Sequence, residues 1–228
     1  GPVADVLLVY AKTAPERGAK GISAFIVEKD FPRFKVAQKL IKMGFRGSQT
    51  GELVFDDCRV PAANLVGVEN EGVKIVRSGL DLERALVAGL CVGIAERALE
   101  ISVEYAKTRV QFGKPIGSFQ MVQAMLAEMY TEVEVMKTFV WRTLAEVNDL
   151  EIGGGGRGDA HKLTAASILF AGESCNRVLN SAMQVHGGSG YICESEMNRL
   201  FRCIKILEIG AGTSEVRKLI IAEELLTG

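Results

Sequence analysis

The sequence predicts an α+β protein that is mostly α, with an all-β piece over residues 1–66 followed by an antiparallel helical bundle over 67–228. Three observations predict it. Up to about residue 67, short β-branched and aromatic segments alternate with turn residues. From about Glu71 the apolar residues recur every three or four positions instead. Within that helical region the stretch Gly153–Gly158 holds five glycines in six residues, which no helix tolerates and which reads as a loop.

In order, Val6–Ala11, Ile22–Glu28, Phe34–Lys39 and Glu52–Phe55 read as strands. Arg17-Gly18, Arg46-Gly47-Ser48 and Val60-Pro61 punctuate them. The opening GPVADVLLVYAK has no basic n-region and no small-residue cleavage site, and reads as a strand entered midway. Such a piece of a larger β-domain is expected to leave strand edges and apolar faces open. A long helix follows from Glu71 to Thr108, with Val73, Val76, Leu80, Glu83 and Val87 on one face. A second runs from Phe119 to Asn148, its core stripe being Val122, Met125, Leu126, Met129, Val133, Met136 and Val140. Asp159 starts a third, reaching Val185, and two shorter ones span Glu194–Leu207 and Ser214–Leu226. Long helices joined by short loops pack antiparallel.

Composition excludes several function classes. Lys plus Arg is 27 against 28 for Asp plus Glu, so no basic surplus recommends nucleic acid or an anionic membrane. No run approaches the roughly 20 apolar residues of a spanning helix. Two histidines, His161 and His186, and five cysteines without a CxxC pair predict no metal site. Dispersed, odd-numbered thiols suit a reducing compartment.

Taken singly, the polar residues are ambiguous. Glu83 between Leu80 and Val87 is either a salt-bridged or half-exposed helix residue or a working carboxylate, because an unpaired buried charge is costly. Arg84 points about 100° away and is not its obvious partner. Gly187-Gly188-Ser189-Gly190-Tyr191 could admit a phosphate or simply end a helix, and it is neither a Walker loop nor a Rossmann fingerprint. His186 reads as a helix-end cation. Thr213 or Ser214 suits an N-cap, and Arg109-Val110-Gln111-Phe112-Gly113 a loop anchor.

The order of these blocks is more telling than any one of them. ELVFDDCRVPAANLVG, SGLDLER, TRVQFGKPIGSFQ, QVHGGSGY and EIGAGTSEVRKLIIAEELL resemble, end to end, the acyl-CoA dehydrogenase family and most of all its isovaleryl-CoA branch. The resemblance implies part of a middle β-domain over 1–66 and a carboxyl-terminal four-helix-bundle domain over 67–228, with an amino-terminal helical domain absent. It also implies FAD, a homo-oligomer built as a dimer or a tetramer of paired dimers, and electron-transfer flavoprotein as the acceptor. Bacterial cytoplasm and mitochondrial matrix both fit. The chain taken alone is expected to hold FAD weakly and to be inactive.

By position, the resemblance places Arg109, Gln111 and Phe112 at the FAD of a neighbouring subunit, the arginine at its pyrophosphate, which a guanidinium fork suits. Gln120 matches a further flavin position, Gln184, Gly187 and Gly188 the adenosine-diphosphate cradle, and Thr213 and Glu215 contacts within the same subunit. Most of the family carries a glutamate before the Gly-Thr of the last block, where this chain has Ala211. The isovaleryl-CoA branch takes its base from the first bundle helix instead, at the position of Glu83. Glu83 is therefore expected to remove the α-proton, in an apolar setting that raises its pKa. The Ala211 N–H would polarise the thioester carbonyl. Asp81 and Arg84 match positions near the CoA arm and pocket wall. Gly210 replaces a bulky aromatic of the straight-chain enzymes and widens the pocket for a branched chain. Competing readings are a dehydrogenase of another short or branched acyl-CoA, an acyl-CoA oxidase, and a non-catalytic helical assembly module of the same family.

Overall fold

The computed structural model describes residues 1–148 and 158–227, as two compact units that divide between Gly79 and Leu80. In the first unit, β1 (Val6–Lys12) pairs antiparallel with β2 (Ile22–Glu28), in register from Val6 opposite Glu28 to Lys12 opposite Ile22. After β3 (Phe34–Leu40) and β4 (Thr50–Phe55), the two-residue β5 (Leu65–Val66) closes the other side of β2, giving the order β1-β2-β5. The small side chains of Ser23 and Ala24, with Val27, are buried on the central strand. The Ser23 hydroxyl lies 2.7 Å from the Thr13 hydroxyl and accepts from the Asn70 backbone N–H, also at 2.7 Å. β3 and β4 form a separate hairpin with an irregularity between Val36 and Gln38, clasped by the Phe34 and Phe55 rings 5.0 Å apart. The edge strand β1 leaves Val6, Leu8 and Tyr10 exposed on one face.

Helix α1 (Gly72–Thr108) starts in the first unit, where only a glycine fits: a Cβ at Gly72 would stand 2.9 Å from the Ile22 carbonyl oxygen. It continues into the second unit, followed by a hairpin of β6 (Val110–Gln111) and β7 (Lys114–Pro115). Next come α2 (Gln120–Asn148), α3 (Asp159–His186), the single turn α4 (Gly188–Tyr191), α5 (Glu196–Ile204) and α6 (Ser214–Thr227). The four long helices form the bundle. α2 buries Met129, Val133, Met136 and Val140, the second half of its predicted stripe. α3 buries Ile168, Ala171, Cys175, Val178, Leu179 and Ala182. Cross-helix ion pairs Lys137–Glu96, Arg177–Glu132, Lys218–Glu173 and Arg97–Glu196 tie α2 to α1, α3 to α2, α6 to α3 and α1 to α5.

The buried face of α1 differs from the predicted one. Ala85, Ala88, Cys91, Val92, Ala95 and Ala98 are the residues inside, while Leu82, Leu86 and Leu90 are 39%, 57% and 50% exposed. Large apolar residues mark a core face only when the neighbouring helix stands far enough away to need them; α1 is packed through its small ones. Glu83 accordingly sits on the exposed side, not in the buried stripe.

The glycine run at 153–158 lies outside the described residues except for Gly158, which precedes α3 with φ +88° and donates its N–H to Glu224 Oε2. Among the described residues no helix is long and apolar enough to cross a membrane, and no three His, Cys, Asp or Glu side chains cluster to hold a metal. Among the described residues the cysteines form no disulfide.

Candidate active site

The loop between α5 and α6 is held in an unusual backbone shape by two arginines. After a 3₁₀ turn at Lys205–Glu208, the Gly210 N–H donates to the Ile206 carbonyl at 2.7 Å. Ala211 and Gly212 then adopt φ of +55° and +96°. A left-handed alanine costs about 1 kcal/mol, so something must hold it there. Arg217 reaches back from α6, wholly buried, and donates from Nη1 to the Leu207 carbonyl at 3.0 Å and from Nη2 to that of Gly210. Burial holds its guanidinium below the ordinary arginine range. From the opposite side Arg84 of α1, 3% exposed, donates Nε–H to the Ala211 carbonyl at 3.1 Å. Thr213 caps α6, its Oγ1 accepting from the Val216 N–H at 3.4 Å. Among the described residues nothing accepts the Ala211 N–H.

Arg84 is itself fixed by Asp81, one turn earlier. Asp81 Oδ1 receives three donors: His161 Nδ1 at 2.6 Å, Arg84 Nη1 at 3.3 Å and Thr164 Oγ1 at 3.4 Å. With a carboxylate oxygen as partner, His161 Nδ1 carries the proton. Asp81 and Arg84, placed near the CoA arm and pocket wall by the resemblance, are thus committed to partners inside the bundle. His161 was missed by sequence reasoning, since 80 residues separate it from Asp81 and no spacing announces the pair.

Glu83, beside Arg84 but pointing outward, makes no ion pair with a described residue. On a helical wheel Leu90 lies about 20° from it and Leu86 about 60°, so the carboxylate stands in an exposed leucine stripe. Gly210, whose Cβ would approach the Ile206 carbonyl to 3.1 Å, lies on the Ala211 loop.

A second constellation gathers where α1 ends. Tyr105 stacks on His186, ring centroids 4.5 Å apart, and its hydroxyl donates to Ser189 Oγ at 3.1 Å. This joins the root of Arg109 to the glycine run after α3. The hairpin turns at Phe112 and Gly113, with φ +52° and +79°. Phe112 is 91% exposed and meets the Phe119 ring edge-on, centroids 6.0 Å apart. Gln111, whose amide donates to the Val110 carbonyl at 2.7 Å, and Gln120 at the start of α2 are exposed beside it. α3 ends after Gln184 and His186, with Gly187 at φ +54°, and a Cβ on Gly187 or Gly188 would meet nothing within 4 Å. Among the described residues Arg109 has no carboxylate partner, and with the exposed Phe112 ring and the uncrowded backbone at Gly187 and Gly188 it makes a set that fits a diphosphate joined to flat rings. Thr213 and Glu215 line a cleft of about 200 Å³ with Glu173, Lys205 and Glu208. Glu215 is held below the usual carboxylate range by its own backbone N–H and the Thr213 hydroxyl. No hydrogen bond or ring contact among the described residues joins the Arg109–Gly188 group to the Glu83–Ala211 group.

A larger groove, about 680 Å³ between α2 and α3, is lined by Met129, Val135, Phe170 and Val178 and shares no residue with either group.

The mitochondrial isovaleryl-CoA dehydrogenase of Oryza sativa subsp. japonica is 48% identical over 99% of this chain and 53% of its own length. The mitochondrial 2-methylacyl-CoA dehydrogenase of Solanum tuberosum is 46% identical over the same shares. A solved chain from the electron transferring flavoprotein structure of Acidaminococcus fermentans superposes at TM-score 0.92 with 38% identity, covering 100% of this chain and 58% of that one. The chain spans about half the length of the curated relatives it matches. Residues 1–58 match the model of the acyl-CoA dehydrogenase middle domain and residues 70–226 that of its C-terminal domain, so the chain belongs to the acyl-CoA dehydrogenase family.

Proposed function

We propose that this protein is an oxidoreductase that dehydrogenates a short branched-chain acyl-CoA, isovaleryl-CoA-like, between its α and β carbons with FAD. The observation that carries the reading is the pairing of Glu83 with Ala211 through Arg84. An uncommitted carboxylate projects from α1 among exposed leucines, and the next residue holds the loop whose Ala211 N–H has no acceptor. Glu83 removes the α-proton of the thioester, the leucine stripe offering an apolar surface to the acyl chain. The Ala211 N–H donates to the thioester carbonyl oxygen, where negative charge develops as the proton leaves. When bound, the flavin supplies the acceptor for the β-hydrogen. Arg109, Gln111, Phe112, Gln120, Gln184, Gly187 and Gly188 hold it across a subunit interface, and Thr213 and Glu215 within the subunit. Tyr130 and Trp141, exposed on one face of α2, suit burial against a second copy. Electron-transfer flavoprotein is the proposed acceptor of the reduced flavin's electrons.

The test is anaerobic bleaching of the flavin's visible band in the full-length protein with a panel of acyl-CoAs, wild type beside Glu83→Gln. Bleaching by isovaleryl-CoA that disappears in the variant supports both reaction and base. Bleaching untouched by the substitution places the base elsewhere. The similarity to the potato 2-methylacyl-CoA dehydrogenase favours a second reading, a 2-methyl-branched acyl-CoA; faster bleaching by 2-methylbutyryl- or isobutyryl-CoA selects it.

A further inference from the structure

We infer that His161 is a positioning residue for the reaction, acting through Asp81 and Arg84 on the Ala211 loop. The inference rests on reading Ala211 as the carbonyl-polarising donor. Arg84 has two acceptors, the Ala211 carbonyl for Nε at 3.1 Å and Asp81 for Nη1 at 3.3 Å, and Nη1 also lies 3.4 Å from His161 Nδ1. Its guanidinium is planar, so satisfying both fixes its orientation. How strongly Asp81 draws on Arg84 depends on what else the carboxylate receives. His161 supplies the shortest of the three contacts to Asp81 Oδ1, at 2.6 Å, against 3.4 Å from Thr164. Side-chain exposures of 19% for Asp81, 14% for His161 and 4% for Arg84 leave little water to replace a lost donor.

Without His161 the carboxylate would take Arg84 as its main partner, and the guanidinium would turn away from Ala211. The loop has little else to hold it on that side. Its left-handed Ala211 and Gly212 are gripped by Arg217 through Leu207 and Gly210, not through the Ala211 carbonyl. Other charged groups around His161 are engaged elsewhere: Lys162 pairs with Asp159 on its own helix, and Glu224 of α6 accepts from the Gly158 N–H. Arg217 meets Arg84 only as a repelling like charge.

The experiment compares wild type, His161→Ala, His161→Asn and His161→Gln in the full-length, flavin-loaded protein. Asparagine presents a donor near the place of Nδ1, and glutamine presents one near that of Nε2. Two quantities are read: kcat and KM for isovaleryl-CoA, and the infrared stretch of a ¹³C-labelled thioester carbonyl in the bound α,β-unsaturated product. Hydrogen bonding from the Ala211 N–H lowers that stretch. We expect His161→Ala to lower kcat roughly 10-fold with KM nearly unchanged, the scale of a small misplacement near the reacting atoms. The carbonyl band should move back towards its free position, and asparagine but not glutamine should restore both. An alanine variant with wild-type kcat and carbonyl band overturns the inference, even if its melting temperature falls, because His161 would then only join helices. Should the alanine variant not fold, equal kcat for asparagine and glutamine overturns it instead. The infrared arm needs no turnover, so it tests His161 even where Glu83→Gln has shown the base to be elsewhere.

Discussion

Arg217 donates to the carbonyl oxygen of Gly210 from a position with no exposed surface, and through it α6 dictates the backbone of the loop that precedes it. With Leu207 as second acceptor, one buried and one half-buried carbonyl depend on one guanidinium. Arg217→Met would leave both without a donor, at a cost of about 2–4 kcal/mol. Urea denaturation should show a lowered midpoint with an unchanged slope, and a variant as stable as wild type would contradict the loop's dependence on this residue.

The stack of Tyr105 on His186 makes a graded prediction. Tyr105→Phe keeps the ring contact and loses only the bond to Ser189, so flavin content should stay near wild type. Tyr105→Ala removes both, at about 1–2 kcal/mol including the aromatic contact, and frees the hairpin root at Arg109 from the glycine run. The ratio of flavin to protein absorbance after purification should fall in the alanine variant alone.

On the proposed function, Gly210 bears on acyl-chain choice. A Cβ there is tight but tolerable, 3.1 Å from the Ile206 carbonyl, so Gly210→Tyr is expected to fold with a modest loss of stability. It should reduce kcat/KM for isovaleryl-CoA relative to butyryl-CoA by roughly 10-fold, the scale of a misfitted methyl group. An unchanged ratio would remove Gly210 from the pocket.

The Arg177–Glu132 pair between α3 and α2 predicts a pH dependence. The Arg177 guanidinium, bonded at 2.7 Å, holds the Glu132 carboxyl below its ordinary value of 4.5, against a smaller opposing effect of burial. A depressed carboxylate stabilises the fold above its unfolded pKa and loses that contribution as pH falls through the folded one. Arg177→Ala should therefore cost about 0.5 kcal/mol at neutral pH, since the pair is partly solvated, and progressively less on the acid side of the carboxylate range. Denaturation curves at several pH values would show the difference closing.

Much of the fold was legible because large side chains announce it. The Met129–Val140 stripe and the strands at Val6, Ile22 and Phe34 are set by bulk and β-branching, and their starts agree with the structure. The two-residue pairings β5, β6 and β7 escaped because so short a ladder leaves no alternation. α1 misled for a different reason: alanines make its contacts and leucines face outward, the reverse of a usual amphipathic helix. That reversal alone put Glu83 on the wrong side. The capping role of Thr213 was readable locally. The Asp81–His161 contact and the grip of Arg84 on Ala211 join residues far apart in the chain, and only folding brings them together.

The alanine face of α1 also separates two tasks along a single helix. Enlarging Ala85, Ala88 or Ala95 would push α1 outward as a body and carry Glu83 and Arg84 with it, so that side sets the reach of the carboxylate. The leucine side touches none of those contacts. Leu82, Leu86 and Leu90 can be exchanged without moving the scaffold. On the proposed function, substitutions on that side would retune the size and shape of the acyl chain accepted, while the alanine side holds Glu83 in place.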